Sequence, residues 1–244
     1  MKELKLSTLD RIRNKIIFPA AVLFVLAECV FGVLAQCTDG LVWSASSFSS
    51  IVLVAVFFLL FMEATPSYIF TQLALVFTVA ADYFLVLHNA KQKLAAMLCF
   101  SFVQIFYFAR IHLELRSGKL RKIHIGVRIF VLLVTFGVTL FVLGKSADAL
   151  AVISMLYYAM LLMNIVFSFM LKPHFSALSV GLLLFILCDT FVGLGFIENY
   201  FRVEKGSLLY FLANPPLNMA WIFYTPSQTL LGLSLFGQRL KRSK

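Results

Sequence analysis

Long apolar runs separated by short polar connectors recur from one end of the chain to the other. They fall at 16–36, 47–63, 68–88, 93–112, 124–144, 147–171, 175–197 and 216–237. Each is close to the ~20 residues that an α-helix needs to cross the hydrocarbon of a bilayer. The runs are continuous rather than alternating, which excludes the strands of a membrane β-barrel. The second run is short. The eighth contains Pro226 and follows Asn214-Pro215-Pro216, a breaker that must end any helix begun in "SLLYFLA". The pattern predicts an all-α fold, a polytopic membrane helix bundle of eight transmembrane helices forming one integral-membrane domain over 1–244. No connector is long enough to fold as a domain of its own, so chemistry must take place inside the bundle or at its mouth. The first basic-then-apolar stretch is too long for a signal peptide and shows no small-residue cleavage site, so it is read as an uncleaved first span.

Composition supports this architecture. The 244 residues are 61% hydrophobic and only 13% charged, with a mean hydropathy of +0.96, whereas soluble domains are nearer half apolar and a quarter charged. The net charge of +10 does not indicate a nucleic-acid partner, because the cations sit in connectors beside the spans. Their distribution orients the chain instead. Sixteen of the 21 Lys and Arg lie in the N-terminus, the 2–3, 4–5 and 6–7 connectors and the C-terminus. The other connectors hold only Lys91, Lys93, Lys145, Arg202 and Lys205. Eight spans with both termini cytoplasmic satisfy this bias, and seven would not. The four cysteines (Cys29, Cys37, Cys99 and Cys188) have no paired spacing, and three fall inside apolar runs, so no disulfide framework is expected. A multi-pass location follows, in the plasma membrane of a bacterium or the endoplasmic reticulum of a eukaryote.

Against this apolar background the polar residues within spans stand out. Three of the eleven acidic residues lie well inside: Glu28, Asp82 in "FTVAADYFLVL" and Asp189 in "LFILCDTFVGL". No Lys or Arg is expected at comparable depth, so none of the three has an obvious basic partner. Ionisable side chains within a membrane are costly and face the bundle interior or water. Asp82 and Asp189 occupy matched positions in spans 3 and 7, which run in the same direction, so the two carboxyls are expected at one level. A carboxyl pair in low dielectric keeps one group protonated while the other ionises, which provides an acid and a base in one site. Two neutral acids joining helices by hydrogen bonds is the structural alternative.

Other polar residues recur at helical spacing. Thr71, Thr78 and Asp82 share a face of span 3; Ser101, Gln104 and Tyr107 lie on span 4; Ser154, Tyr157, Asn164 and Ser168 share a face of span 6. Span 8 offers Trp221, Thr225 and Gln228, with Tyr224 four residues before Gln228. Such groups join membrane helices individually, but five helices contributing them predict a polar cavity walled by spans 3, 4, 6, 7 and 8. Pro226 frees the carbonyl of Ile222 within span 8. His88, His112, His124 and His174 lie at span ends or in connectors and share no helical face, so no catalytic metal or other cofactor is expected. Nucleophile-elbow, phosphate-loop and dinucleotide-turn motifs are absent.

Taken in order, several of these segments resemble the YhhN family of membrane proteins, which includes the animal lysoplasmalogenases. "LVFTVAADYFLVL" carries Asp82 at the first family aspartate. "FSFVQIFYF" places Gln104 where a histidine is common and Tyr107 at the family tyrosine. "LYYAMLLMNIVFSFML" matches the Tyr- and Met-rich helix, and "GLLLFILCDTFVGLGF" supplies Asp189, preceded by Cys188 instead of serine. "WIFYTPSQTLLGLSL" provides Tyr224 and Gln228. The resemblance covers roughly 68–236, and the Lys-Pro that many members carry near span 2 is missing.

The resemblance implies eight spans and hydrolysis of the vinyl-ether bond of lysoplasmalogen, giving a fatty aldehyde and a glycerophosphoethanolamine or glycerophosphocholine. Asp82 and Asp189 would be catalytic, with Tyr224, Gln228, Gln104, Tyr107, Asn164, Tyr157 and Thr78 around the substrate. A single-chain lysophospholipid would enter from the bilayer, its phosphate near Lys91, Lys93, Arg202 and Lys205. Two other classes stay open. One is a small-solute or proton-coupled transporter, suggested by the echo of an aspartate span before a Gln-bearing helix in both halves. The other is a lipid-binding protein of the same fold without catalysis.

Overall fold

The computed structural model describes residues 2–60, 65–87, 92–171 and 176–234, with side chains from residue 19 onward. The described chain is helical throughout, with no strand. Helices α1 (Lys2–Cys37), α2 (Gly40–Leu60), α3 (Pro66–Asp82) and α4 (Lys93–Glu114) form a first half. A second half holds α5 (Gly118–Leu143), α6 (Ala149–Phe169), α7 (Ala177–Gly195), the short α8 (Leu208–Ala213) and α9 (Met219–Leu233). Seven of these elements, α1 through α7, are long and apolar enough to span a bilayer, making the protein a multi-pass membrane bundle. Over the eighth expected span, 216–237, the described residues hold α9, a helix of 15 residues that is shorter than the seven; residues 235–237 lie outside the described chain. As the Asn-Pro-Pro breaker requires, α8 stops at Ala213. Pro226 sits inside α9 without ending it.

Capping chemistry sets several starts. Ser117, Asp148, Ser176, Ser207 and Asn218 each accept a backbone N–H three residues on, at the openings of α5 to α9. Gly144, at φ 51°, ends α5 in the left-handed region that favours glycine. Two helices begin earlier than their apolar runs. In α2 the serines of "WSASSFSS" are absorbed because Ser44 and Ser46 donate to the carbonyls of Gly40 and Trp43. In α5 the basic stretch from Lys119 to Arg128 forms the opening turns, and Arg121 reaches back to the carbonyls of Leu113 and Leu115.

The halves repeat one packing order. The pairs α1/α2, α2/α3 and α3/α4 are answered by α5/α6, α6/α7 and α7/α9, and the halves meet where α4 crosses α6 and α2 meets α9. The most extensive contact joins α7 to α9. A Cβ on Gly181 would stand 3.1 Å from the backbone nitrogen of Leu231, and Ser227 donates to the Gly181 carbonyl at 2.8 Å. Small residues let membrane helices approach in this way. The core runs through α3, α4, α6, α7 and α9, from Ala74 and Val103 to Leu161, Leu182, Phe185 and Leu231. By contrast α5 packs mainly on α6 and leaves Phe130, Leu133 and Phe141 exposed, an apolar surface suited to lipid.

Candidate functional site

Asp82 is the last residue of α3 and is 1% exposed. Immediately after it the chain forms a π-helical turn, Tyr83–Leu87, before the connector to α4. Such one-turn departures in a helix often accompany functional sites. The Asp82 carboxylate accepts a 2.5 Å hydrogen bond from the Tyr224 hydroxyl of α9. On α7, Asp189 accepts a bond of the same length from the Tyr157 hydroxyl of α6. The two carboxyls are close enough to interact electrostatically, with the buried Cys188 thiol beside both. Phe100 and Phe185 fill the space between the tyrosines, at 5.9 Å from Tyr157 and 5.8 Å from Tyr224. Asp82 is sealed, whereas Asp189 is partly exposed.

An open cavity of about 480 Å³ lies between the end of α7 and the segment leading into α9. Its lining includes Val192, Phe196, Asn218 and Ala220. Val192 is one helical turn beyond Asp189, and Ala220 one turn before Tyr224, so the cavity approaches both from the same end. Lys93 stands at its rim, with the ammonium 4.0 Å from the centroid of the Phe196 ring.

The other predicted side chains divide into two groups. Asn164 and Gln104 are fully buried and bonded to each other, the Asn164 amide donating 2.9 Å to Gln104 Oε1 and 3.0 Å to the Gln104 carbonyl. The Gln104 amide lies against the Tyr157 hydroxyl, although its Nε2 makes no hydrogen bond of full geometry. The Tyr107 hydroxyl and the Gln228 amide are buried with no protein partner among the described residues. Such groups are rare in native interiors and are satisfied by water or ligand. Thr78 is buried with its hydroxyl on the carbonyl of Ala74 in its own helix. Glu28 stands apart between α1 and α2, accepting from Ser50 at 2.5 Å.

Two expectations need correction. The interior does contain cations. Arg110 and Arg128 are 2% and 4% exposed, and both lie inside helices of spanning length. Neither contacts an aspartate of the pair directly. Arg110 joins Glu114 at 3.0 Å and donates to Thr71 and Ser234, tying α4 to α3 and to the end of α9. Arg128 donates 2.9 Å to Asn164 Oδ1 and 3.0 Å to His124 Nε2. Nor are all the histidines separate. His124 is fully buried and stacks on His112, with ring centroids 5.7 Å apart and an Nδ1–Nδ1 distance of 3.5 Å. The signals were present as i,i+4 pairs, His124 with Arg128 and Arg110 with Glu114. His88 and His174, and Lys91 among the expected phosphate contacts, lie outside the described residues. Among the described residues no three His, Cys, Asp or Glu side chains gather as a metal site would require. Tyr158, not singled out by pattern, bonds Thr190 at 2.8 Å and gives α6 and α7 a second tie beside Asp189.

A carboxyl pair embedded in an all-helical membrane bundle, on its third and seventh helices, is the arrangement expected from the segment resemblance. The YhhN family profile matches residues 42–235, most of the chain. The chain belongs to the YhhN family. No curated protein and no solved structure matches it. Every side chain expected at the site, from Thr78 to Gln228, falls inside the matched region.

Proposed function

We propose that this YhhN-family protein is a membrane hydrolase that cleaves the vinyl-ether bond of a lysoplasmalogen, with Asp82 and Asp189 as its acid and base. The observation carrying this reading is the juxtaposition of two carboxyls, each held by a tyrosine hydroxyl, near a cavity lined by the end of α7 and the start of α9. A vinyl ether is hydrolysed by protonating the carbon β to oxygen, which leaves an oxocarbenium at the α carbon. Water then adds to that carbon as a base takes its proton, and the resulting hemiacetal collapses to an alcohol and an aldehyde. One protonated and one ionised carboxyl suffice for these transfers, and each regains its starting state when the hemiacetal breaks. The reaction consumes one water and needs no redox partner.

Further support comes from the surroundings. Tyr107 and Gln228 are unpartnered polar groups next to the site's helices, suited to a glycerol oxygen or the attacking water. A lysophospholipid could place its single chain along the apolar cavity wall, with its phosphate near Lys93 at the rim. The test is aldehyde release from lysoplasmalogen by the purified protein in detergent. Wild type should release aldehyde, and D82N and D189N should each lose it by about 100-fold or more. Absence of release from folded wild type would reject the vinyl-ether reading.

A further inference from the structure

We propose that Arg128, acting through Asn164, Gln104 and Tyr157, makes Asp189 the ionised member of the pair and leaves the proton on Asp82. The assignment of charge stands on the bundle's hydrogen bonds; the roles that follow from it in catalysis rest on the proposed hydrolase reading.

A guanidinium donates only, so Asn164 must turn its oxygen toward Arg128. The Asn164 NH2 then faces α4 and donates to the Gln104 oxygen. That leaves the Gln104 NH2 toward the Tyr157 hydroxyl, the one loose link in the chain. Tyr157 in turn donates to Asp189. The hydrogen bonds that are made, from Arg128 through Asn164 to Gln104 and from Tyr157 to Asp189, all point from the cation toward Asp189. Aligned hydrogen bonds in a low-dielectric interior polarise one another and favour negative charge at the accepting end. Asp82 has no such row behind it. Its partner Tyr224 is bordered by the rings of Trp221 and Phe185.

Charge balance points the same way. Among the described residues Arg110 is paired with Glu114, while Arg128 contacts no carboxylate. Its neighbours are His124 on its own helix, Phe108 on α4, and Met160 and Asn164 on α6, with His112 on the far side of His124. A buried cation without a counter-charge is costly. One ionised carboxyl restores neutrality, and Asp189 is the one reached by the chain. The titratable groups facing Asp189 are Tyr157 from α6, Asp82 from α3 and Cys188 from α7. None is a cation, so Arg128 is the charge that compensates it. Asp82 would then deliver the proton to the vinyl carbon, and Asp189 would take the proton from water. Arg128 and Asn164 are positioning residues that act through Tyr157.

Infrared spectroscopy of the purified protein at neutral pH tests this directly, since a protonated carboxyl shows a carbonyl stretch that a carboxylate lacks. An E28Q background removes the third buried carboxyl. The expected result is a carboxylic-acid band that disappears in D82N and persists in D189N. R128M should add a second such band, which R128M/D189N lacks, and R128K should keep the single band. If R128M does not fold, N164L breaks the row at its next atom and is read in the same way. Loss of the band in D189N instead of D82N, or an unchanged spectrum on breaking the row, would overturn the assignment. In the aldehyde assay R128M should lower kcat about tenfold with KM unmoved, and R128K should recover part of it. The infrared result stands whether or not the substrate is a lysoplasmalogen, so failure of the substrate reading and failure of the charge assignment are separate outcomes.

Discussion

The two halves of the bundle, α1–α4 and α5–α9, follow the same packing order and each puts one aspartate on its third helix, yet they treat that aspartate differently. Asp189 takes its tyrosine from its own half, from the neighbouring α6, and the same helix reaches a buried arginine through Asn164. Asp82 takes its tyrosine from the other half, from α9, and is followed at once by a π-helical turn. One carboxyl is partly exposed and the other is sealed. A repeated scaffold thus supplies two like groups in unlike surroundings. This is the usual way in which paired carboxyls divide acid and base work.

The largest effect should come from erasing the pair. D82N/D189N should lose about as much aldehyde release as the worse single variant, because groups acting as one unit are not additive. A double loss equal to the product of the single losses would mean that the halves act independently. Next in size is the second buried arginine. R110M should lower stability by about 3 kcal/mol by stranding its partners, read from thermal or SDS unfolding, while kcat of the surviving folded protein stays near wild type. That outcome separates a cation that holds helices together from Arg128, which acts on the chemistry. A smaller contrast lies in the tyrosines. Y157F should destabilise by about 2 kcal/mol and Y224F by about 1, since a hydrogen bond to a charged acceptor is worth more than one to a neutral acid. Equal costs would remove the distinction between the halves. Smallest of all, E28Q should leave aldehyde release within about twofold and unfolding within about 0.5 kcal/mol, as substitutions outside a coupled network do.

Seven spans, and the positions of both aspartates within them, were legible in the sequence because a membrane makes the pattern stark: unbroken apolar runs, with single carboxyls inside them. Tyr157, Asn164, Tyr224 and Gln228 could be placed on faces by helical spacing, and the structure brings two of them, the tyrosines, onto the carboxyls. Arg110 and Arg128 were hidden for a physical reason. They stand at the ends of apolar runs among connector cations, where the orientation rule accounts for every positive charge without asking whether it turns inward. The early start of α2 was hidden by serines that look like loop residues but bond within their own helix. Nothing in the local sequence marks the π-helical turn after Asp82. Which tyrosine serves which aspartate depends on helix order in space, which spacing along one helix cannot reveal.

The crossing of Tyr224 to Asp82 also bears on how the chain is made. Tyr157 precedes Asp189 by 32 residues, so that carboxyl emerges after its partner. Asp82 emerges 142 residues before Tyr224. At the ~5–20 residues per second of synthesis, α3 waits on the order of ten seconds with its acid unmatched. During biogenesis, then, the bond between the first aspartate and the last helix is the one that closes the site, and a nascent chain stopped before α9 holds a carboxyl in the membrane with no tyrosine to meet it.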